Sequence, residues 1–107
     1  MERLEITLSV KSIKRLEFKQ TLDHLSEKLQ KDCSSLKIKE SNNLQSYTIL
    51  GEWETEDQMH RAIISKEFTI LSGAITALCE KIEIRLNELL VGNRISVLAN
   101  IKNNQLK

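Results

Sequence analysis

The chain has 107 residues, 40% of them hydrophobic and 29% charged, which predicts one globular domain with a single modest core. Lys and Arg are scattered, the formal net charge is +1 and only 4% of the residues are aromatic, so a nucleic-acid partner is not expected. No apolar run approaches the roughly 20 residues of a membrane-spanning helix, no apolar signal core is seen, and Cys33 and Cys79 are expected to stay reduced, which together predict a cytoplasmic protein with no membrane partner.

The first half of the chain predicts a strand, a helix and a hairpin of two strands. Apolar and polar residues alternate over 4–10, as in a strand with one buried face. Over 16–31 the apolar residues recur every three or four positions, which predicts an amphipathic helix with Ser12 as its cap. Alternation returns at 36–40 and 46–53 on either side of the turn-forming "SNN", so an antiparallel hairpin is expected.

The second half predicts two helices and two further strands. Thr55 begins a capping box for a short helix, and Ser65 caps a second, more apolar helix. Gly73 lies inside that second helix, which is expected where a helix packs closely on the sheet or a ligand. "KIEIRLNEL" (81–89) alternates as the fourth strand, and "VGN" is interpreted as the next turn. A fifth strand is predicted from the alternation of Ile95, Val97, Ala99 and Ile101.

The predicted order, β-α-β-β-α-β plus a terminal strand, is the ferredoxin-like plan of the α+β class, with two helices on one face of an antiparallel sheet. Residues 1–102 are expected to form this single domain, and 103–107 a frayed tail. Leu50 lies on the strand face opposite Tyr47 and Trp53, which predicts an apolar patch on the uncovered side of the sheet. A symmetric homodimer that stacks two such faces would bury the patch.

Residues 52–75 read "EWETEDQMHRAIISKEFTILSGAI", and 83–86 read "EIRL". These two segments resemble the antibiotic biosynthesis monooxygenase family, in particular its quinol monooxygenase branch, and the final "GNRISVLANIK" resembles the family's last strand. The resemblance implies a dimeric α+β barrel with a pocket between the sheet and the helices of each unit. It also implies oxidation of a small aromatic, quinol-like substrate by O₂ without a cofactor.

One position departs from the family pattern. Many members carry His nine residues after the Trp, where this chain has Ala62. His60 lies two residues earlier, about 200° away around a helix, so it does not replace that His. Haem-degrading relatives use an Asn, a Trp and a His, and the matching residues here are Ser9, Ala62 and Ser72, which argues against haem degradation.

Four residues are candidates for a site. Trp53 and Tyr47 could orient a phenolic ring, although large aromatics on one strand face are also typical of a core. His60 is the candidate for proton transfer, with a partly exposed surface residue as the alternative. Arg85 could bind an anionic group or form an ion pair, and Glu52 on the neighbouring strand is a possible partner.

Two further functions stay open beside the monooxygenase. The same fold could serve as a non-catalytic binding module for a small molecule, or as an assembly protein that uses its open sheet face only for dimerisation. The Cys and His residues match no metal-ligand spacing, and no phosphate-binding loop is present, so neither a metal nor a cofactor is expected.

Overall fold

The computed structural model of the chain describes residues 1–41, 43–95 and 97–98. Within these residues no helix is both long and apolar enough to cross a bilayer. A short 3₁₀ turn, Ser12–Lys14, precedes the first helix. The strands and helices, in chain order, are β1 (Glu2–Val10), α1 (Arg15–Lys31), β2 (Ser35–Ser41), β3 (Ser46–Trp53), α2 (Glu56–Ile63), α3 (Lys66–Leu78), β4 (Cys79–Leu86) and β5 (Leu89–Gly92).

The strands form one antiparallel sheet in the order β2-β3-β1-β4-β5. The first four strands and the long helices therefore have the predicted ferredoxin-like arrangement, and the predicted α+β class is confirmed. β1 lies at the centre of the sheet, between β3 and β4. Helices α1 and α3 contact each other on one face of this sheet, so the core lies between the helices and that face.

The alternation along β1 decides which of its residues enter the core. Its apolar residues are at most 2% exposed, and they belong to the same cluster as the buried stripe of α1. Full burial of such a side chain stabilises the fold by roughly 1.5–3 kcal/mol. The buried residues of the two elements are Leu4, Ile6, Leu8, Val10, Phe18, Leu22, Leu25 and Leu29.

Two of the three predicted helix starts are confirmed. The Gln58 N–H donates to the Thr55 hydroxyl at 3.2 Å, and the Phe68 N–H donates to the Ser65 hydroxyl at 3.2 Å. Each bond satisfies a backbone donor that the first turn of a helix leaves free. The cap predicted at Ser12 is wrong, because this residue begins the 3₁₀ turn and α1 starts without a side-chain cap.

The fifth strand lies earlier in the chain than predicted. Asn87 and Glu88 have φ angles of 50° and 74°, and two successive positive φ values are typical of a tight two-residue hairpin turn. The chain therefore reverses directly after β4, and "VGN" is partly strand rather than turn. The sequence concealed this turn because Glu is an unusual residue at positive φ.

Residues 93–95 and 97–98, which follow β5, do not form a strand. The N–H groups of Val97 and Leu98 donate to the carbonyls three residues before them, as in a helical turn. Leu98 is 3% exposed within the core. The rest of the predicted strand, Ala99 and Ile101, lies outside the described residues, as does the tail 103–107.

Over β1 and β3 the uncovered face of the sheet is mostly polar, which corrects the predicted apolar patch there, while Leu90 of β5 pairs with Arg85 and is 59% exposed. Leu50 lies between Lys37 and Glu5 in cross-strand register, and Arg85 continues the same row on β4. The strict alternation that buries one set of side chains leaves their polar neighbours on this face. On β1 and β3 Leu50 is the one apolar residue among Arg3, Glu5, Thr7, Ser9, Thr48, Leu50 and Glu52.

Gly73 is exposed on α3, and a Cβ atom at this position would meet nothing within 4 Å. The close approach of helix to sheet expected at this glycine is therefore wrong. Among the residues that the structure describes, no contact requires a glycine at this position, where Gly lowers the stability of α3 relative to Ala.

Candidate functional site

Trp53 is held at the junction of β3 and the end of α1. It is the last residue of β3 and is only 2% exposed. Its indole Nε1–H donates to the main-chain oxygen of Asp32, just beyond α1, at 2.8 Å. The six-membered ring lies over Gly51, on the same face of the strand. One edge of the indole is thus fixed by a hydrogen bond, and its six-membered ring lies close to the strand backbone.

Two adjoining spaces flank this indole ring. The Trp53 cleft is an outer space of about 370 Å³ with a mostly polar wall. The inner cavity is a narrow apolar space of about 20 Å³ between the sheet and the helices. Both spaces are lined by Asp32, Cys33, Trp53 and Ala62. The cleft adds Lys31, Ser34, Gln58, Arg61 and Ser65; the cavity adds Leu4, Ile6, Leu29, Leu36, Ile49, Gly51, Phe68 and Leu71.

The sizes of the two spaces limit what each can hold. A volume of about 370 Å³ lies in the range of small-molecule pockets, roughly 300–1,000 Å³. The inner cavity holds little more than one water-sized molecule, and its apolar wall offers few partners for a water. A ring-sized ligand therefore fits the cleft, and only a very small apolar molecule fits the cavity.

Two larger grooves are less suitable as sites. One, of about 470 Å³, runs between α1 and α3 and includes His24, Lys28 and Ile70. The other, of about 550 Å³, lies against β1 and β4 and includes Thr7 and Glu83. Neither includes Trp53 or adjoins the inner cavity, so the Trp53 cleft is the strongest candidate among the described surfaces.

Charge and hydrogen-bonding groups are unevenly distributed in the Trp53 cleft. Lys31 and Arg61 bring two cations, and Asp32 brings one carboxylate. Burial, with a smaller contribution from the charge of Asp32, raises the pKa of the Cys33 thiol to about 11. Cys33 is therefore a protonated thiol at neutral pH rather than a thiolate nucleophile.

Tyr47 does not reach this cleft. It lies on the same face of β3 as Trp53 but six residues away, which is roughly 20 Å along a strand. Its ring packs edge-on against Phe18, with the ring centroids 5.1 Å apart. Its hydroxyl is buried and has no hydrogen-bond partner among the described residues, and burial raises its pKa. The structure therefore separates the two aromatics that the sequence placed together.

His60 is also absent from the residues that line the cleft and the cavity. It is partly buried on α2, and its Nε2 atom has no partner in the described part of the chain. Ala62, two residues later, is 4% exposed and lines both spaces. Position 62 thus lines the candidate site, but here it carries only a methyl group.

Arg85 projects on the opposite side of the sheet, in register with Glu5. Its guanidinium lies 3.5 Å from the carboxylate of Glu83. The ion pair with Glu52 considered from the sequence is not formed, because Glu52 binds Arg3 at 2.9 Å. Arg85 therefore has no contact with the Trp53 cleft.

Most residues of the cleft wall were not predicted from the sequence as site residues; those that carry a charge or a thiol are Lys31, Asp32, Cys33 and Arg61. The sequence predicts only a reduced thiol at Cys33 and indicates no role for Lys31, Asp32 or Arg61. A signal was present at Asp32 and Cys33, because a turn between an amphipathic helix and a strand often carries functional groups, whereas nothing in the sequence marks Arg61. Only the packing of α2 beside the end of α1 brings these side chains together.

Comparison with known proteins identifies the fold. No protein-family model and no curated protein matches the chain. Among solved structures, an antibiotic biosynthesis monooxygenase is 16% identical with a TM-score of 0.72, over 80% of this chain and 95% of that chain. A conserved protein from Methanosarcina mazei Go1 is 23% identical with a TM-score of 0.71, over 82% and 91% of the two chains.

A third structure supports the same assignment of the fold. It is a protein from Deinococcus radiodurans, provisionally described as an antibiotic biosynthesis monooxygenase, 20% identical with a TM-score of 0.70 over 82% of this chain and 91% of that chain. This protein therefore has the fold of antibiotic biosynthesis monooxygenases, and the resemblance seen in residues 52–75 is confirmed at the level of the fold. At these identities the comparison concerns the fold, and the activity has to be argued from the site.

Proposed function

We propose that this protein is a cofactor-independent monooxygenase that oxidises a small aromatic, quinol-like substrate with O₂. The observation that carries the proposal is the position of Trp53 between a ring-sized cleft and a small apolar cavity. The cleft fits an aromatic ring beside the indole, and the cavity fits a diatomic gas beside that ring. The similarity to solved antibiotic biosynthesis monooxygenases supports the same reaction class.

The proposed reaction needs no reductant besides the substrate. A quinol loses its hydroxyl protons and one ring hydrogen, and it supplies four electrons to O₂. One oxygen atom enters the ring and the other leaves as water, so a quinol and O₂ give a hydroxyquinone and water. Deprotonation makes the ring electron-rich, and exclusion of water protects the intermediates.

Two residues have direct roles in this proposal. Trp53 provides a flat apolar wall that orients the substrate ring. Asp32 carries the one carboxylate among the described residues that line the cleft, so it is the first candidate acceptor for a hydroxyl proton. His60 stays a second candidate for proton transfer, and its ring would have to turn toward the cleft to act.

Oxygen uptake with a panel of hydroquinones tests the proposed function. We expect one O₂ consumed per quinol, with mass-spectrometric transfer of one ¹⁸O atom from labelled O₂ to the product. Catalase should return no O₂, because the reaction releases water rather than hydrogen peroxide. Uptake equal to that of buffer, from a protein that is folded by circular dichroism, would refute the monooxygenase.

Matched variants locate the reaction in the cleft. Ala62→Leu fills the junction of the cleft and the cavity, and we expect it to abolish turnover. Gly73→Ala, in open space on α3, is the control and should retain the full rate. Asp32→Asn should reduce the rate strongly while His60→Gln should not, and the reverse pattern would assign the proton transfer to His60.

A non-catalytic binding module is the second candidate, and one observation favours it. Ala62 stands where many members of the resembling family carry His, and the protonated Cys33 thiol does not supply a strong nucleophile. In this case an aromatic ligand would raise the melting temperature without product formation. A thermal-shift screen followed by mass spectrometry of the same mixtures separates the two candidates.

We also propose that the protein acts as a cytoplasmic homodimer. The support is the similarity in fold and the mixed charge on the open sheet face, where Lys37, Glu5 and Arg85 lie in one row. Opposite charges on two copies could pair across a two-fold axis. Sedimentation equilibrium at micromolar concentration should give twice the chain mass at low salt, and a monomer mass would overturn the dimer.

A further inference from the structure

We infer that the Trp53 cleft binds an aromatic ligand that carries an anionic substituent, in the simplest case a ring carboxylate, which Arg61 and Lys31 recognise. The inference refines the proposed function, since it gives the charge of the ligand in the same cleft. It rests on the charges and hydrogen-bond donors of the cleft wall, and the similarity in fold does not determine these side chains.

The wall of the cleft has more donors than acceptors. The guanidinium of Arg61 and the ammonium of Lys31 carry only donors, whereas Asp32 provides one carboxylate. The Gln58 side-chain oxygen already accepts a hydrogen bond from the Glu54 N–H at 3.1 Å, so its free group in the cleft is the NH₂ donor. A ligand that fits this wall must therefore present acceptors.

The cationic groups of the cleft are available for a ligand. Neither the Arg61 guanidinium nor the Lys31 ammonium has a hydrogen-bond or ion-pair partner among the residues that the structure describes. Other arginines are occupied: Arg3 binds Glu52 at 2.9 Å, and Arg85 lies 3.5 Å from Glu83. The guanidinium of Arg61 is thus free to form the two parallel bonds that a carboxylate accepts.

The arrangement of polar and apolar walls gives the ligand a direction. Trp53 and Ala62 line the inner part of the cleft next to the apolar cavity, and both are buried. Arg61 and Lys31 line the cleft but not the cavity, and both are exposed. The ring therefore points inward, its anionic substituent points outward, and two cations against one carboxylate favour the anion electrostatically.

Intrinsic fluorescence gives a direct binding assay, because Trp53 is the only Trp of the chain. The protein is titrated under nitrogen with three rings of nearly the same shape: 2,5-dihydroxybenzoate, its amide and its methyl ester. We expect the carboxylate to bind at least about tenfold more tightly than either neutral analogue, as for a charge-assisted pair of bonds. Its affinity should fall as the salt concentration approaches about 1 M, where screening acts over roughly 3 Å.

Charge-neutralising variants test the two named residues. Arg61→Gln and Lys31→Gln should each weaken carboxylate binding by about fivefold, the range of a partly exposed ion pair, and leave ester binding unchanged. Lys28→Gln is the control, because Lys28 lies on α1 outside the cleft, in the groove against α3. Melting curves of all three variants confirm that they are folded.

The outcomes separate this inference from the proposed function. Equal affinity for the carboxylate and the ester, failure of all three rings to bind, or an affinity that Arg61→Gln leaves unchanged would overturn the anion site. Because the titration excludes O₂, it does not depend on turnover. Tight, charge-dependent binding without O₂ uptake in the aerobic assay would uphold the anion site and refute the monooxygenase.

Discussion

The indole ring of Trp53 lies over Gly51, two residues before it on the same face of β3, and a Cβ atom at residue 51 would come within 2.8 Å of its Cη2 atom. Real Cβ atoms essentially never approach this closely, so residue 51 can have no side chain while the indole keeps this position. The glycine and the hydrogen bond to Asp32 together fix the wall between the cleft and the inner cavity.

Gly51→Ala should displace the indole ring and destabilise the protein by about 1–3 kcal/mol, because the added methyl group overpacks the site. Urea unfolding gives the change in free energy, and a red shift of the Trp53 emission reports exposure of the ring. An unchanged spectrum and midpoint would show that the strand accommodates the methyl group without moving the indole.

Gly73→Ala should act in the opposite direction and stabilise the protein by about 0.5–1 kcal/mol. The residue lies in the middle of α3, its Cβ would enter open space, and Ala loses less backbone entropy than Gly in a helix. The same urea titration measures the effect. A loss of stability would mean that position 73 packs against a surface absent from one chain, such as a dimer partner.

Trp53→Phe should cost about 1–3 kcal/mol, since it leaves the carbonyl of Asp32 without its donor and reduces the buried area. It should also weaken binding of aromatic ligands in the cleft, measured by calorimetry because the fluorophore is lost. Phe18→Leu, far from the cleft in the α1 stripe, is a matched control: it should destabilise the fold without changing ligand affinity once the protein is folded.

Tyr47→Phe should leave stability unchanged or raise it by about 1 kcal/mol. The Tyr47 hydroxyl is buried without a hydrogen-bond partner in the described part of the chain, so its removal relieves a desolvation cost. Because Tyr47 lies far from Trp53, the variant should also keep the wild-type affinity and rate. A large loss of activity would restore the role that the sequence suggested for this residue.

The protein should lose stability as the pH rises from about 9 toward 11. Burial raises the pKa of Cys33 to about 11 and that of Cys79 to about 12, from an ordinary value of 9.0. Between pH 9 and these pKa values the folded chain therefore keeps thiol protons that the unfolded chain has released. The stabilisation that results from the protonated thiols is complete below pH 9 and is lost as the pH rises through the folded pKa values. The double variant Cys33→Ala/Cys79→Ala should show a flatter dependence of unfolding free energy on pH, and equal slopes would contradict the shifts.

The local patterns of the sequence predicted most of the fold correctly. Alternation along β1 and β3 identified the buried faces, and Thr55 and Ser65 marked the starts of α2 and α3. These features succeed because they depend on the period of the backbone and on hydrogen bonds within one turn. The turn at Asn87 and Glu88 was missed because it does not depend on such local features. The positive φ of Glu88 is imposed by the pairing of β4 and β5 rather than by the residue itself.

The sequence by itself determined the order of strands and helices, their buried faces and the resemblance carried by residues 52–75. Only the tertiary structure decided the site. Trp53 and Asp32 are 21 residues apart in the chain, and they meet because β3 ends where α1 ends. The same packing places Ala62 at the cleft, whereas Tyr47 packs against Phe18 and Arg85 lies on the opposite face of the sheet. A one-dimensional pattern shows which face a residue occupies, but the position along that face, and the neighbours across it, are set by how the helices pack on the sheet.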